Sequence, residues 1–293
     1  MTHPGQLLKN HKLYAGKELG QNFLSNPATA QMIVHKTGIS DTNRVVEIGP
    51  GLGALTIPLA KTALHVTAIE KDSRLIPVLK QELENENVQN VDIINKDILK
   101  INFHEIASQY NKNSKIDKNS EKLIIIGNLP YNISSQILFR LVEQRSCVET
   151  AFLMFQKELA TRIIATAGKK DYSRLSAVVQ YAADISFVAH IGPASFFPKP
   201  DIDSTILQFK FFHDKELNQA QEKFLFNVIK AGFSKRRKSL KNSMAGGEFG
   251  FEKKFVIAAL EKAGIDPARR AETLSVEEFK LLAKSVSETT PKK

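Results

Sequence analysis

The run Gly127-Asn128-Leu129-Pro130-Tyr131-Asn132 carries residue types suited to one particular chemistry. An exocyclic adenine amine is a poor nucleophile, because its lone pair is delocalised into the ring. A site that methylates such an amine needs acceptors that hold both N–H hydrogens. The Asn128 side-chain carbonyl and the Leu129 backbone carbonyl can do this. Pro130 stiffens the turn so that the two converge. Tyr131 offers a π face on which an extruded base stacks. Hydrogen bonds that strengthen as the nitrogen pyramidalises stabilise the transition state more than the ground state. No strong base is required, since the methylated amine is acidic enough to give its proton to water. Without that chemistry, the same residues would be a proline turn with a packed tyrosine.

A second run, Glu47-Ile48-Gly49-Pro50-Gly51-Leu52-Gly53, follows a short apolar segment. Glycines at a strand-to-helix turn let backbone approach a ligand where a Cβ would collide. A dinucleotide site would need G-x-G-x-x-G, to seat a pyrophosphate on the helix N-terminus. Here the spacing is G-x-G-x-G, and Pro50 removes an amide donor. That spacing disfavours an NAD-dependent dehydrogenase and fits a ligand without a pyrophosphate, such as S-adenosylmethionine. A tight structural turn would have the same spacing. Glu70 lies about 20 residues beyond Gly49, where this fold class places the acid that holds ribose hydroxyls. A solvated carboxylate at a strand end is the plainer reading. Asp97 closes a third apolar segment and is expected to reach an adenine amino group.

These residues need a frame that gathers strand ends. Val45–Ile48, His65–Ile69, Val91–Ile94 and Leu123–Ile126 read as strands. Helical patterns cover Leu52–Ala63, Ser73–Glu84 and Ile133–Val142, with another over Asn26–Gly38. The alternation predicts a parallel sheet covered by helices on both faces. Further strands are expected at Ala151–Phe155, Phe187–Ile191 and Thr205–Phe211, with helical patterns from Lys157 and Leu175 among them. After about Asp214 only helical patterns remain, as at Phe224, Leu225, Val228 and Ile229, and at Phe255, Ala258, Ala259 and Ala263. The expected class is therefore α/β, one α/β domain over 1–212 with a small α-helical domain over 213–293. Residues 1–20 read as a mobile arm, and 109–122, rich in Asn, Lys and Ser, as a solvated loop.

Lys and Arg number 41 against 31 Asp and Glu, a net charge of +10. That excess points to a polyanion, either nucleic acid or an anionic surface. The single cysteine, Cys147, excludes an internal disulfide and a zinc site of several thiolates. The histidines show no metal-ligand spacing, so no metal is expected. The first residues lack a signal-peptide core, and no window has the apolar length of a membrane span, so the expectation is a cytoplasmic protein.

Taken together, Gln21-Asn22-Phe23-Leu24, the glycine run and Asn128–Asn132 resemble the ribosomal RNA adenine N6-dimethyltransferases over nearly the whole chain. The resemblance implies a Rossmann-like S-adenosylmethionine-dependent methyltransferase domain followed by a helical one, in which Asn22, Leu24, Gly49, Glu70, Asp97 and Asn128 contact S-adenosylmethionine, with Gly51 in the same turn. It assigns Asn128, Leu129, Pro130 and Tyr131 to the target amine and its base. Phe196, in Phe196-Phe197-Pro198-Lys199-Pro200-Asp201-Ile202-Asp203-Ser204, is assigned to the opposite face of that base.

Two segments, 233–242 and 266–275, resemble the housekeeping branch. That branch dimethylates two adjacent adenines near the 3′ end of 16S-type small-subunit RNA. The partner implied is the small ribosomal subunit, bound in part by Lys235, Arg236, Arg237, Lys238 and Lys241, whose charge would release phosphate counterions. A solvated helix face is the plainer reading of that basic run. Asp201 and Glu18 stand where basic residues are usual in the family, which weakens the expected RNA grip there. The resistance branch acting on large-subunit RNA, a ribosome-assembly factor acting mainly by binding, and a DNA adenine methyltransferase are the competing readings. A monomer is expected, since recognition of this RNA needs no two-fold symmetry.

Overall fold

The computed structural model describes residues 2–113, 122–213, 216–235, 237–246 and 252–289. The chain divides into two compact units, Met1–Ala160 with Asp184–Phe211, and Thr161–Ala183 with Phe212–Lys293.

The first unit begins with α1 (Pro4–Asn10), β1 (Phe23–Leu24) and α2 (Pro27–Thr37). The Asn26 side chain caps α2 by accepting from the Thr29 amide at 3.1 Å, and Gly38 ends it in the left-handed region at φ 68°. Then come β2 (Arg44–Ile48), α3 (Thr56–Ala60), β3 (His65–Glu70), α4 (Ile76–Asn85), β4 (Val91–Asn95), α5 (Phe103–Asn113), β5 (Leu123–Asn128), α6 (Ser134–Glu143) and β6 (Val148–Gln156). After α7 (Lys157–Ile164) and α8 (Arg174–Ala182), the sheet is completed by β7 (Ala183–Ile191) and β9 (Ser204–Phe211). A short β8 (Phe196–Phe197) pairs with β1 in a separate two-stranded ribbon.

The large sheet has the order β4-β3-β2-β5-β6-β9-β7. Strands β4, β3, β2, β5 and β6 run parallel. Val45, Val46, Val66 and Ala68 are wholly buried, as central parallel strands covered on both faces require. The chain moves from β2 out to β3 and β4, then returns to the far side of β2 for β5. Strand carboxyl ends therefore border a crevice at that reversal.

The sheet is mixed rather than purely parallel, because β9 pairs antiparallel with β6. Apolar content marks a buried strand but not its direction, which the chain path decides. Two further expectations change. Residues 1–20 are not a free arm: α1 forms there, with the His3 ring accepting from the Gly5 amide at 3.1 Å. Leu7 and Leu8 are buried against Phe23, Leu52, Leu75 and Val78. A seven-residue helix has little stability of its own, so this packing holds it. In the expected loop 109–122, α5 extends through Asn113 and Tyr110 is buried, its hydroxyl bonded to that of Thr67. The remainder, 114–121, lies outside the described residues. The expected helix Leu52–Ala63 is confined to Thr56–Ala60, because the glycine turn before it departs from helical geometry.

The second unit holds α8 together with α9 (Gln219–Gly232), α10 (Leu240–Ser243), α11 (Lys253–Lys262) and α12 (Val276–Thr289). Asn218 and Gln221 form a reciprocal capping box at the start of α9. Its buried face, Leu225, Val228 and Ile229, follows the helical repeat. Phe279 of α12 is fully buried, and the Phe233 ring lies 5.8 Å from it.

Candidate functional site

One pocket lies at the carboxyl ends of β2, β3 and β5. It gathers Asn22, Leu24, Gly49, Gly51, Glu70, Asn128, Leu129, Pro130 and Tyr131 from segments spread over more than a hundred positions. The glycine turn forms its floor. Gly51 has φ 55°, and a Cβ there would stand 2.9 Å from the Phe23 ring. Only glycine meets both conditions without movement.

The Glu70 carboxylate is held from two sides, accepting from the Gly51 amide at 3.0 Å and the Asp72 amide at 2.7 Å. Burial pushes its pKa up, against those bonds. Glu47, also in the pocket wall, is nearly inaccessible. Burial pushes its carboxyl up to about 8, and the charge of Glu70 adds to the rise. Glu47 Oε2 has no hydrogen bond among the described residues.

Asn128 ends β5. Its Nδ2 donates to the Asn22 carbonyl at 2.9 Å, which orients the amide and leaves Oδ1 as an acceptor. The turn that follows uses the Pro130 carbonyl for the Ile133 amide at 3.2 Å, and the Tyr131 carbonyl for the Ser134 hydroxyl at 3.0 Å. Among the described residues, that turn makes no hydrogen bond to the Leu129 carbonyl. The Tyr131 hydroxyl lies 2.9 Å from that of Ser204, and burial raises its pKa.

Two assigned residues do not join this group. The Asp97 carboxylate is paired with Lys71 Nζ at 2.8 Å and accepts from the Leu99 amide at 3.0 Å. The Lys71 ammonium holds Asp97 below the usual carboxylate range. Its neighbours Lys96 and Ile98 line the pocket instead. Phe196 is buried in the apolar core with Leu24, Ile206 and Met154. Strand alternation turns Phe197 outward instead, where its ring meets the His3 ring at 5.5 Å.

Other contacts have no obvious sequence signal. Gln21 Nε2 donates to Asp72 at 2.9 Å, and its Oε1 accepts from the Gly16 amide at 2.7 Å. Arg74 binds the same Asp72 carboxylate through Nε at 2.8 Å and a terminal nitrogen at 2.7 Å. Asn132 Nδ2 donates to the Glu18 carbonyl at 3.2 Å. The Gln21–Asp72 and Asn132–Glu18 bonds fasten segment 16–22 to the strand ends across long stretches of sequence, so spacing cannot announce them, while the Gly16 and Arg74 bonds are local.

In the second unit, the two segments singled out by the sequence are joined by their backbones. The Leu240 amide donates to the Arg269 carbonyl at 2.7 Å, and the Lys241 amide to the Pro267 carbonyl at 3.3 Å. Lys235, Arg237 and Lys238 are exposed and Lys241 partly so. Arg236 lies outside the described residues. Arg237 shares a basic depression with Lys169, Lys170 and Arg270, three cations the sequence reading did not assign. Among the described residues, no cluster of His, Cys, Asp and Glu could hold a metal ion, and no helix is long and apolar enough to cross a membrane.

Residues 13–288 match the family described as ribosomal RNA adenine dimethylase. The ribosomal RNA small subunit methyltransferase A of Desulforapulum autotrophicum is 54% identical over 283 residues, covering 97% of this chain and 96% of that protein. Its counterpart in Alkaliphilus metalliredigens is 36% identical over 282 residues, covering 96% and 95%. Among solved structures, a dimethyladenosine transferase from Plasmodium falciparum aligns with TM-score 0.73 and 28% identity, covering 91% of this chain and 98% of that one. The 23S rRNA methyltransferase ErmE aligns with TM-score 0.63 and 25% identity, covering 91% and 100%.

Proposed function

The chain belongs to the ribosomal RNA adenine dimethylase family, and on that premise we propose that its substrate is the small ribosomal subunit, dimethylated at N6 of two adjacent adenines near the 3′ end of its RNA. It is an S-adenosylmethionine-dependent methyltransferase. Small-subunit specificity rests on the names of the relatives at 54% and 36% identity.

The pocket suits the cofactor. Glu70 offers a carboxylate in the pocket wall, and glycine at position 51 lets the turn pass the Phe23 ring without displacing it. When bound, the cofactor supplies an electrophilic methyl group on a sulfonium sulfur. Asn22, Leu24, Gly49 and Gly51 would hold its amino-acid side, and Glu70 its ribose hydroxyls. Asp97 would have to exchange Lys71 for an adenine amino group.

The observation that carries the activity is the bond from Asn128 Nδ2 to Asn22. It holds Oδ1 in one orientation, so Oδ1 and the Leu129 carbonyl can accept both hydrogens of the target amine before charge develops. Tyr131 stacks on the extruded base. With Phe196 in the core, the other face of that base is left to another group. Lys235, Arg237, Lys238 and Lys241 bind RNA phosphates. The protein works as a monomer in the cytoplasm, with its substrate.

Methyl transfer from labelled S-adenosylmethionine tests this reading. Undermethylated small subunits and naked large-subunit RNA serve as parallel substrates, with nucleoside mass spectrometry of the products. Dimethyladenosine confined to the small subunits is the expected result. Label only in the large-subunit RNA would overturn the substrate, and label in neither would overturn the activity.

A further inference from the structure

Tyr131 follows β5 on a turn, yet its ring must hold one plane if a base is to stack on it. Two bonds fix the turn itself, from the Ile133 amide to the Pro130 carbonyl and from the Ser134 hydroxyl to the Tyr131 carbonyl. Neither reaches the ring. The far end of the ring is tied by the 2.9 Å bond between the Tyr131 and Ser204 hydroxyls.

Ser204 is the first residue of β9 and is fully buried. Among the described residues its hydroxyl makes no other hydrogen bond, and a buried hydroxyl left unpaired would be costly. Its backbone is anchored on both sides. Ser204 pairs with Gln156 at the end of β6, and the preceding Asp203 carbonyl accepts from the Lys157 amide at 2.9 Å. The other neighbour of Ser204, Thr205, faces away and bonds the His190 ring at 3.0 Å. Strand β6 pairs in turn with β5, where Asn128 lies opposite Met154. The serine is thus fixed to the same sheet that fixes Asn128.

We propose that Ser204 is a positioning residue, which sets the plane of Tyr131 through the hydroxyl–hydroxyl bond and so aligns the base with the Asn128 and Leu129 acceptors. This rests on the stacking role proposed for Tyr131. It also provides a role for the late motif at 196–204, whose Phe196 lies in the core: the motif reaches the site through its last residue.

A double-substitution cycle tests it, using the full-length protein, undermethylated small subunits and labelled S-adenosylmethionine. Ser204→Ala and Tyr131→Phe each remove one hydroxyl and keep the ring. Each is expected to lower kcat about five- to tenfold. The combined variant should be no slower than the slower single one, since both remove the same bond. Cofactor Kd should stay within about twofold, because the bond does not touch the cofactor side of the pocket. Losses that multiply in the combined variant would overturn the proposal, as would wild-type kcat in either single variant. If Ser204→Ala fails to fold, Tyr131→Phe decides: a slow enzyme supports the tether and an unimpaired one overturns it. Tyr131→Ala separates the two ideas. Wild-type turnover in that variant would sink the stacking role itself, whatever the serine does.

Discussion

The crevice at the strand ends and the basic segment at 235–241 both carry residues assigned to function, but they are built in opposite ways. In the crevice, Glu70 holds the glycine turn and Asn128 is held by Asn22, through bonds between residues well apart in sequence, and Glu47 and Glu70 are buried. Each group there has one geometry. In the basic segment Lys235, Arg237 and Lys238 are exposed and Lys241 partly so, and they contribute charge rather than shape. A change in the crevice should therefore cost much at one position. A change in the basic segment should cost little, and similar amounts at many positions.

The sharpest way to break that contrast is Asn128→Ala. Loss of a pre-oriented acceptor should lower kcat by roughly a thousandfold while cofactor binding is only partly weakened, as single-turnover rates and calorimetry would show. Wild-type turnover would remove Asn128 from the chemistry. Next comes Gly51→Ala, which places a Cβ 2.9 Å from the Phe23 ring at φ 55°. Cofactor affinity should fall about tenfold or more from this strain and displacement. Phe23→Leu in the same chain should recover part of the loss if the collision is the cause.

Glu47→Gln probes the buried acid through stability. The folded carboxyl titrates at about 8 against an ordinary 4.5. Between those values the unfolded chain is ionised while the folded one keeps its proton, so stability present at low pH is lost as pH rises through that window. The glutamine variant lacks this loss. Its melting temperature should match the wild type near about pH 4.5 and exceed it by several degrees near about pH 8.5. Parallel curves would mean that Glu47 is not the buried acid described.

The smallest effects belong to the basic segment. Lys235→Ala, Arg237→Ala, Lys238→Ala and Lys241→Ala should each weaken subunit binding about two- to fivefold and lower the salt slope by about one phosphate contact. A loss as large as that of Asn128→Ala at any one of them would mean that the segment recognises RNA by shape after all.

Much of the crevice was legible in the sequence, because its parts are local. G-x-G-x-G is a backbone requirement of a few consecutive residues, and Asn128–Tyr131 is a continuous turn. The four apolar strand segments announced the β2–β5 core for the same reason. What was not legible depends on partners far along the chain. Leu7 and Leu8 look like an isolated pair until Phe23, Leu52 and Leu75 surround them. Asp97 is a free carboxylate in sequence, and only the position of Lys71 engages it. Phe196 and Phe197 are equally plausible as the exposed aromatic until β8 pairs with β1 and turns one inward.

By itself, then, the sequence determined which strand ends and turns line the pocket, the glycine turn, the helical tail and the net positive charge. These follow from local sterics and composition. Only the tertiary structure decided that β9 runs against β6, that Asn22 orients Asn128, and that Ser204 meets Tyr131. Each depends on which distant segments the closed core brings within hydrogen-bond reach, and a one-residue change of strand register would exchange the faces on which those side chains stand.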